Sequence, residues 1–120
     1  MRCDMNINDI AAKLELTAVT SIDTAGLSVT AGYAGDLLSD VLAHAEPGAL
    51  WITIQKHGNI LGVASAKDLS AIIISEGVIP EKELTETAER RNIPVFTSRE
   101  STFTLSGKLY ALLQEHDLQD

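Results

Sequence analysis

Along the chain, short apolar runs alternate with longer stretches in which apolar residues recur every three or four positions. Ile7, Ile10 and Leu14 share one face at i, i+3 and i+7 and predict a short helix over residues 8–14 with Asn8 as its cap. Residues 16–19 read as a short strand and 21–26 as a turn-rich connection. Residues 27–31, β-branched toward their end, read as a second strand. A glycine-containing loop, 32–36, then leads into a helix. Its stripe is Leu37, Leu38, Val41, Leu42 and Ala45, and Pro47-Gly48 stops it.

Residues 49–54, Ala-Leu-Trp-Ile-Thr-Ile, form an apolar strand that breaks into the polar run Gln55-Lys56-His57-Gly58. Asn59 is placed to cap a helix through Lys67, with Ile60, Val63 and Ala64 turned inward. Residues 71–74 are continuously apolar, as expected of a parallel strand covered on both faces. Pro80 suits the first turn of the next helix. Glu81 and Glu83 near its start and Arg90 and Arg91 near its end complement the helix dipole. Asn92 suits a left-handed cap, and Ile93-Pro94 ends the helix. Residues 95–97 are the last strand. A closing helix runs from 102 to about 115, with Leu105, Leu109, Leu112 and Leu113 buried.

From Leu27 onward the order is βαβαβαβα. Short loops and strict alternation predict an α/β fold: a single three-layer domain with a mostly parallel central sheet and helices on both faces. No internal repeat, low-complexity tract or linker interrupts it.

Composition narrows the function classes. A chain of 120 residues suffices for one core without disulfide staples. A formal net charge of −8 excludes the basic footprint that nucleic acids require and disfavours an anionic membrane surface. The single cysteine, Cys3, rules out an internal disulfide framework and fits a reducing compartment. The N-terminus lacks the apolar core of a signal peptide, and no run approaches the roughly 18 apolar residues of a transmembrane helix. A cytoplasmic location is expected.

Ligands of open α/β sheets sit beyond the carboxyl ends of the strands. Four such ends are polar or glycine-rich here: residues 32–36, 55–59, 75–77 and 97–100. The glycines of 32–36 do not fit the dinucleotide fingerprint, and Asp36 would repel a phosphate at that helix start. Ser106-Gly107-Lys108 is no P-loop: Thr102 stands where glycine is needed, Leu109 follows the lysine, and the tripeptide lies within a helix. His44, His57 and His116 lack metal-ligand spacing, so no cofactor or metal is expected. His57 alone falls at a ligand edge, where it could serve an anion or act as an acid–base group. Tyr33, placed in a loop, is a candidate contact residue. With Trp51, Phe96, Phe103 and Tyr110 it is too sparse a set for a base-stacking platform.

The strings Pro47-Gly48-Ala49-Leu50-Trp51-Ile52-Thr53-Ile54, Ala71-Ile72-Ile73-Ile74-Ser75-Glu76-Gly77 with Pro80, Ile93-Pro94-Val95-Phe96 and Thr102-Phe103 resemble the DRTGG domain. The resemblance runs from about Gly32 to Leu112. Ile10-Ala11-Ala12-Lys13-Leu14 is similar to the start of the N-terminal domain of HPr kinase/phosphorylase. DRTGG domains also occur within phosphate acetyltransferases and beside CBS domains. At the two signature strand ends, Gln55-Lys56-His57 replaces the acid–arginine pair, and Ser75-Glu76-Gly77 keeps one hydroxyl and one glycine. The resemblance implies one stand-alone domain over 1–120, with an N-terminal helix and strand in 1–26 and βα repeats in 27–115. It also implies a regulatory or ligand-sensing role without catalysis.

The reading expected from sequence is a non-catalytic homodimer that binds a small anionic or nucleotide-like metabolite at the strand carboxyl edge. Its contacts would come from Tyr33, Gln55, Lys56, His57, Asn59, Ser75, Glu76, Gly77, Thr97 and Arg99. The dimer is suggested by small size and a mean hydropathy of +0.10. A protein-interaction adaptor without a small ligand is the alternative, and an enzyme using His57 as acid or base the weakest one. That last reading needs a carboxylate or hydroxyl within hydrogen-bond reach of His57.

Overall fold

The computed structural model describes residues 4–118; Cys3 lies outside them. Its central sheet has five strands: β2 (Thr17–Ala18), β4 (Ala31–Ala34), β5 (Ala49–Thr53), β6 (Ala71–Ile74) and β7 (Val95–Thr97). They are ordered β2-β7-β6-β5-β4, with β4 to β7 mutually parallel and β2 antiparallel on the β7 side. A separate two-stranded ribbon pairs β1 (Met5–Asn6) antiparallel with β3 (Ser28–Val29).

The order β4-β5-β6-β7 advances in one direction, so same-handed crossovers put α2 (Leu38–His44), α3 (Asn59–Ala66) and α4 (Lys82–Arg91) on one face. The helices α1 (Ile7–Lys13) and α5 (Thr102–Leu118) cover the other. Side chains of each strand alternate between these layers. Trp51, Ile72, Ile74 and Val95 pack with Val41, Ile60, Leu61 and Leu84. Leu50, Ile52, Ile73 and Phe96 pack with Ile7, Ile10, Leu105 and Leu109. Strands β5 and β6 are buried at every position, which is why their sequences show no polar alternation. The expected three-layer α/β architecture is the observed one.

The local differences have physical causes. Residues 27–31, expected as one strand, divide: Ser28–Val29 joins the ribbon, and the sheet strand begins at Ala31. Gly32-Tyr33-Ala34, expected as loop, is therefore the edge strand β4, in register with Leu50-Trp51-Ile52. Its small residues permit close helix contact, since a Cβ on Gly32 would lie 2.9 Å from Leu109 Cδ2. Asn6, not Asn8, caps α1, accepting from the Asn8 N–H at 2.8 Å. Asn59 is the first residue of α3, which Gly58 precedes without a side-chain cap. Pro80 lies ahead of Glu81, the N-cap of α4, rather than in the first turn. Asn92 closes α4 in the left-handed conformation at φ 59°, as expected. Leu37 and Leu42, expected in the buried stripe of α2, are exposed, because only Val41 of that helix and its C-cap Ala45 reach the core fully. Helix α5 extends to Leu118, beyond the expected end near 115.

Candidate functional site

At the β4 and β5 ends, polar side chains tie backbone to backbone. Asp36 Oδ1 accepts from the Thr53 hydroxyl at 2.8 Å and the Ile54 N–H at 2.9 Å. Gln55 Nε2 donates to the Asp36 carbonyl at 2.9 Å, and Trp51 Nε1 to the Gly35 carbonyl at 2.8 Å. Asp36 thus locks the chain where β4 leaves the sheet, and Gln55 is engaged in the same lock. The Tyr33 hydroxyl donates to Asp40 Oδ2 at 2.6 Å, while Asp40 Oδ1 faces His44 Nδ1 at 3.0 Å. The Tyr33 hydrogen bond, helped by His44, holds the Asp40 carboxyl below its ordinary range, and the same bond to a carboxylate pushes the Tyr33 phenol up.

Past β5, Lys56 and Asn59 are exposed. His57 Nδ1 meets Glu81 Oε1 at 2.8 Å, with the two side chains 55 % and 46 % exposed. The Glu81 N–H also donates to the Lys56 carbonyl at 3.1 Å. The polar cluster after β5 therefore grips the N-cap of α4. His57 has the carboxylate neighbour that an acid–base role requires, but the pair is half-exposed and neither residue lines the large groove described below.

At the β6 and β7 ends the chain is densely wired. Ser75 is fully buried, and its hydroxyl shares a 2.6 Å hydrogen bond with that of Thr102. Glu76, at φ 64°, donates its N–H to the Glu100 carbonyl at 2.8 Å and accepts from the Thr102 N–H at 2.7 Å. That carboxylate satisfies one of the free donors at the start of α5. Gly77 N–H donates to the Ser98 carbonyl at 3.0 Å. The Ser98 hydroxyl accepts from the Glu100 N–H at 3.1 Å, which holds the loop after β7 in a tight turn.

Beside this wiring lies a groove of about 870 Å³. One wall is the segment that leaves β6, Gly77 through Pro80. The other comes from the end of α1 and from Lys108 of α5, and Thr97 to Glu100 line the groove together with Thr17 of β2 and Val19 just after that strand. Its cations are Lys13, Arg99 and Lys108. Lys108 Nζ meets Glu100 Oε1 at 2.6 Å, whereas Lys13 and Arg99 have no ion-pair partner among the described residues. Glu15 is the remaining carboxylate of the lining.

Of the residues expected at a ligand edge, Gly77, Thr97 and Arg99 share this groove. Tyr33, Gln55, Ser75 and Glu76 are engaged in internal hydrogen bonds, and Lys56, His57 and Asn59 lie on the surface past β5. Lys13 and Lys108 were not expected as ligand contacts from sequence. Lys108 ends the tripeptide dismissed as a P-loop, Lys13 closes α1, and only the packing of α1 and α5 onto one sheet face brings them together. Among the described residues, no three His, Cys, Asp or Glu side chains are grouped to hold a metal ion. No described helix is long and apolar enough to cross a membrane.

Residues 55–113 match the family model described as HPr Serine kinase N terminus. A search of curated proteins finds no match. Among solved structures the chain is similar to the CBS and DRTGG domains of the regulatory region of Clostridium perfringens pyrophosphatase, complexed with activator, diadenosine tetraphosphate. The identity is 22 % and the TM-score 0.68, over 84 % of this chain and 44 % of that one. The chain thus spans less than half the length of that relative. The DRTGG resemblance read from the sequence is borne out, in the family match and in the shared fold.

Proposed function

We propose that this DRTGG-like chain is a regulatory module that senses a small anionic or nucleotide-like metabolite and catalyses no reaction itself. One observation carries the reading. In a chain of net charge −8 with nine lysines and arginines, three of those cations line a single groove at the carboxyl ends of parallel strands. That edge is where open α/β sheets bind ligands. The related pyrophosphatase region is regulatory and is complexed with a nucleotide activator, which supports the same class of ligand. Arg99 is the principal contact: it lines the groove, is exposed, and has no ion-pair partner among the described residues. A homodimer in the cytoplasm completes the proposal.

Isothermal titration against nucleotides and phosphorylated metabolites tests it, with diadenosine tetraphosphate included. Binding that Arg99→Ala weakens about tenfold, the loss expected for one charge-assisted hydrogen bond, supports the groove. No heat from any anion at millimolar concentration overturns the ligand. A monomeric mass in light scattering overturns the dimer.

The adaptor reading retains one favourable observation. Phe103 and Tyr110, 88 % and 67 % exposed, lie seven residues apart on one flank of α5. A stoichiometric protein partner captured while every ligand titration stays blank would favour it. The His57 enzyme reading is weakest, because neither His57 nor its partner Glu81 lines the groove.

A further inference from the structure

The two walls of the groove belong to opposite layers of the fold and differ in chemistry. Val78 packs into the layer that holds α2, α3 and α4, and with Ile79 and Pro80 it is the apolar part of the lining on that side. Ile79 is 82 % exposed, although its neighbours on both sides line the same groove. The layer of α1 and α5 contributes Lys13 and Lys108 to the lining, and Arg99 comes from the loop after β7. An inorganic anion would use only the cationic half.

We infer that the groove takes an organic polyanion with an apolar body, its charged end on Lys13, Arg99 and Lys108 and its body against Val78, Ile79 and Pro80. The inference rests on the anion-binding reading above and adds the second half of the ligand. The segment carrying the apolar wall is pinned at both ends. Gly77 N–H donates to the Ser98 carbonyl at 3.0 Å, and Glu81 is held by the Lys56 carbonyl and by His57. The wall is thus presented without having to be ordered by the ligand, which removes one entropic cost of binding. The volume of about 870 Å³ accommodates a drug-sized molecule, well beyond the needs of a phosphate ion.

Titration of ATP, inorganic tripolyphosphate and adenosine at fixed ionic strength separates the halves. ATP should bind about tenfold tighter than tripolyphosphate, the gain expected from burying one apolar moiety. Ile79→Ser should weaken ATP by about the same factor and leave tripolyphosphate unchanged. Because Ile79 is so exposed, an unchanged urea midpoint is expected to show that the variant is folded. If ATP and tripolyphosphate bind alike and Ile79→Ser alters neither, the apolar half is overturned while the anion site stands. If none of the three binds, both readings fall.

Discussion

Glu100 ties its side chain to the groove's cations while its backbone builds the fold. Its N–H and carbonyl are held by the Ser98 hydroxyl and the Glu76 N–H, whereas its carboxylate reaches Lys108 Nζ at 2.6 Å. An anion bound as proposed would compete with that internal carboxylate for the lysine. Glu100→Gln keeps both backbone bonds and removes the competing charge. Since exposed ion pairs are worth little, anion affinity should rise about three- to fivefold. Titration of the variant with the same anion measures it, and equal or weaker binding would exclude the competition. In the sequence, Arg99 and Gly77 were legible as candidates because they follow apolar strands. Tyr33 was misplaced in a loop: a run of glycine and alanine carries no strand signal, and only pairing with Trp51 made it one.

At the scale of elements, the turn between α2 and β5 shows how a single backbone conformation sets a strand's start. Gly48 has φ +83°, and a Cβ there would lie 2.8 Å from Thr30 Oγ1 and 2.9 Å from Thr30 Cγ2. Its carbonyl accepts from the Thr30 N–H at 3.0 Å, and its N–H donates to the Asp68 carbonyl at 2.8 Å. Gly48→Ala forces an L side chain into the left-handed region against Thr30. It should cost about 1–3 kcal/mol, read as a lower urea midpoint with an unchanged slope. Pro47-Gly48 was legible as a helix stop, but the proximity of Thr30 was not, since Thr30 comes from the link between β3 and β4. Capping shows the same division. Asn92 acts locally and was readable, whereas Glu76 reaches Thr102 across 26 residues and could only be found in three dimensions.

Across the whole molecule, two helix layers share one buried sheet, so neither can unfold without exposing the other's support. Ile72 faces one layer and Ile73 the other, and both are fully buried. Ile72→Ala and Ile73→Ala should each cost about 2–5 kcal/mol. Each variant should still melt in a single transition by both far-ultraviolet dichroism and Trp51 fluorescence. Separate midpoints for the two probes would show that the layers fold independently. The three-layer order was legible because β6 is apolar at every position and β5 at all but its last, Thr53, and helical periodicity separates them.

Local chemistry therefore determined which segments became strands and helices, their order, and the polar edge where a ligand would sit. Periodicity and turn chemistry act over a few residues and are written directly in the chain. The tertiary structure decided which polar residues at that edge remain available. It engaged Ser75 with the Thr102 hydroxyl, Glu76 with the Thr102 N–H and Gln55 with the Asp36 carbonyl, and it gave His57 to the α4 cap. It also gathered Lys13, Arg99 and Lys108 from three separate elements into one groove. Those outcomes depend on long-range packing, in which a residue's neighbours are set by the sheet order and not by its position in the chain.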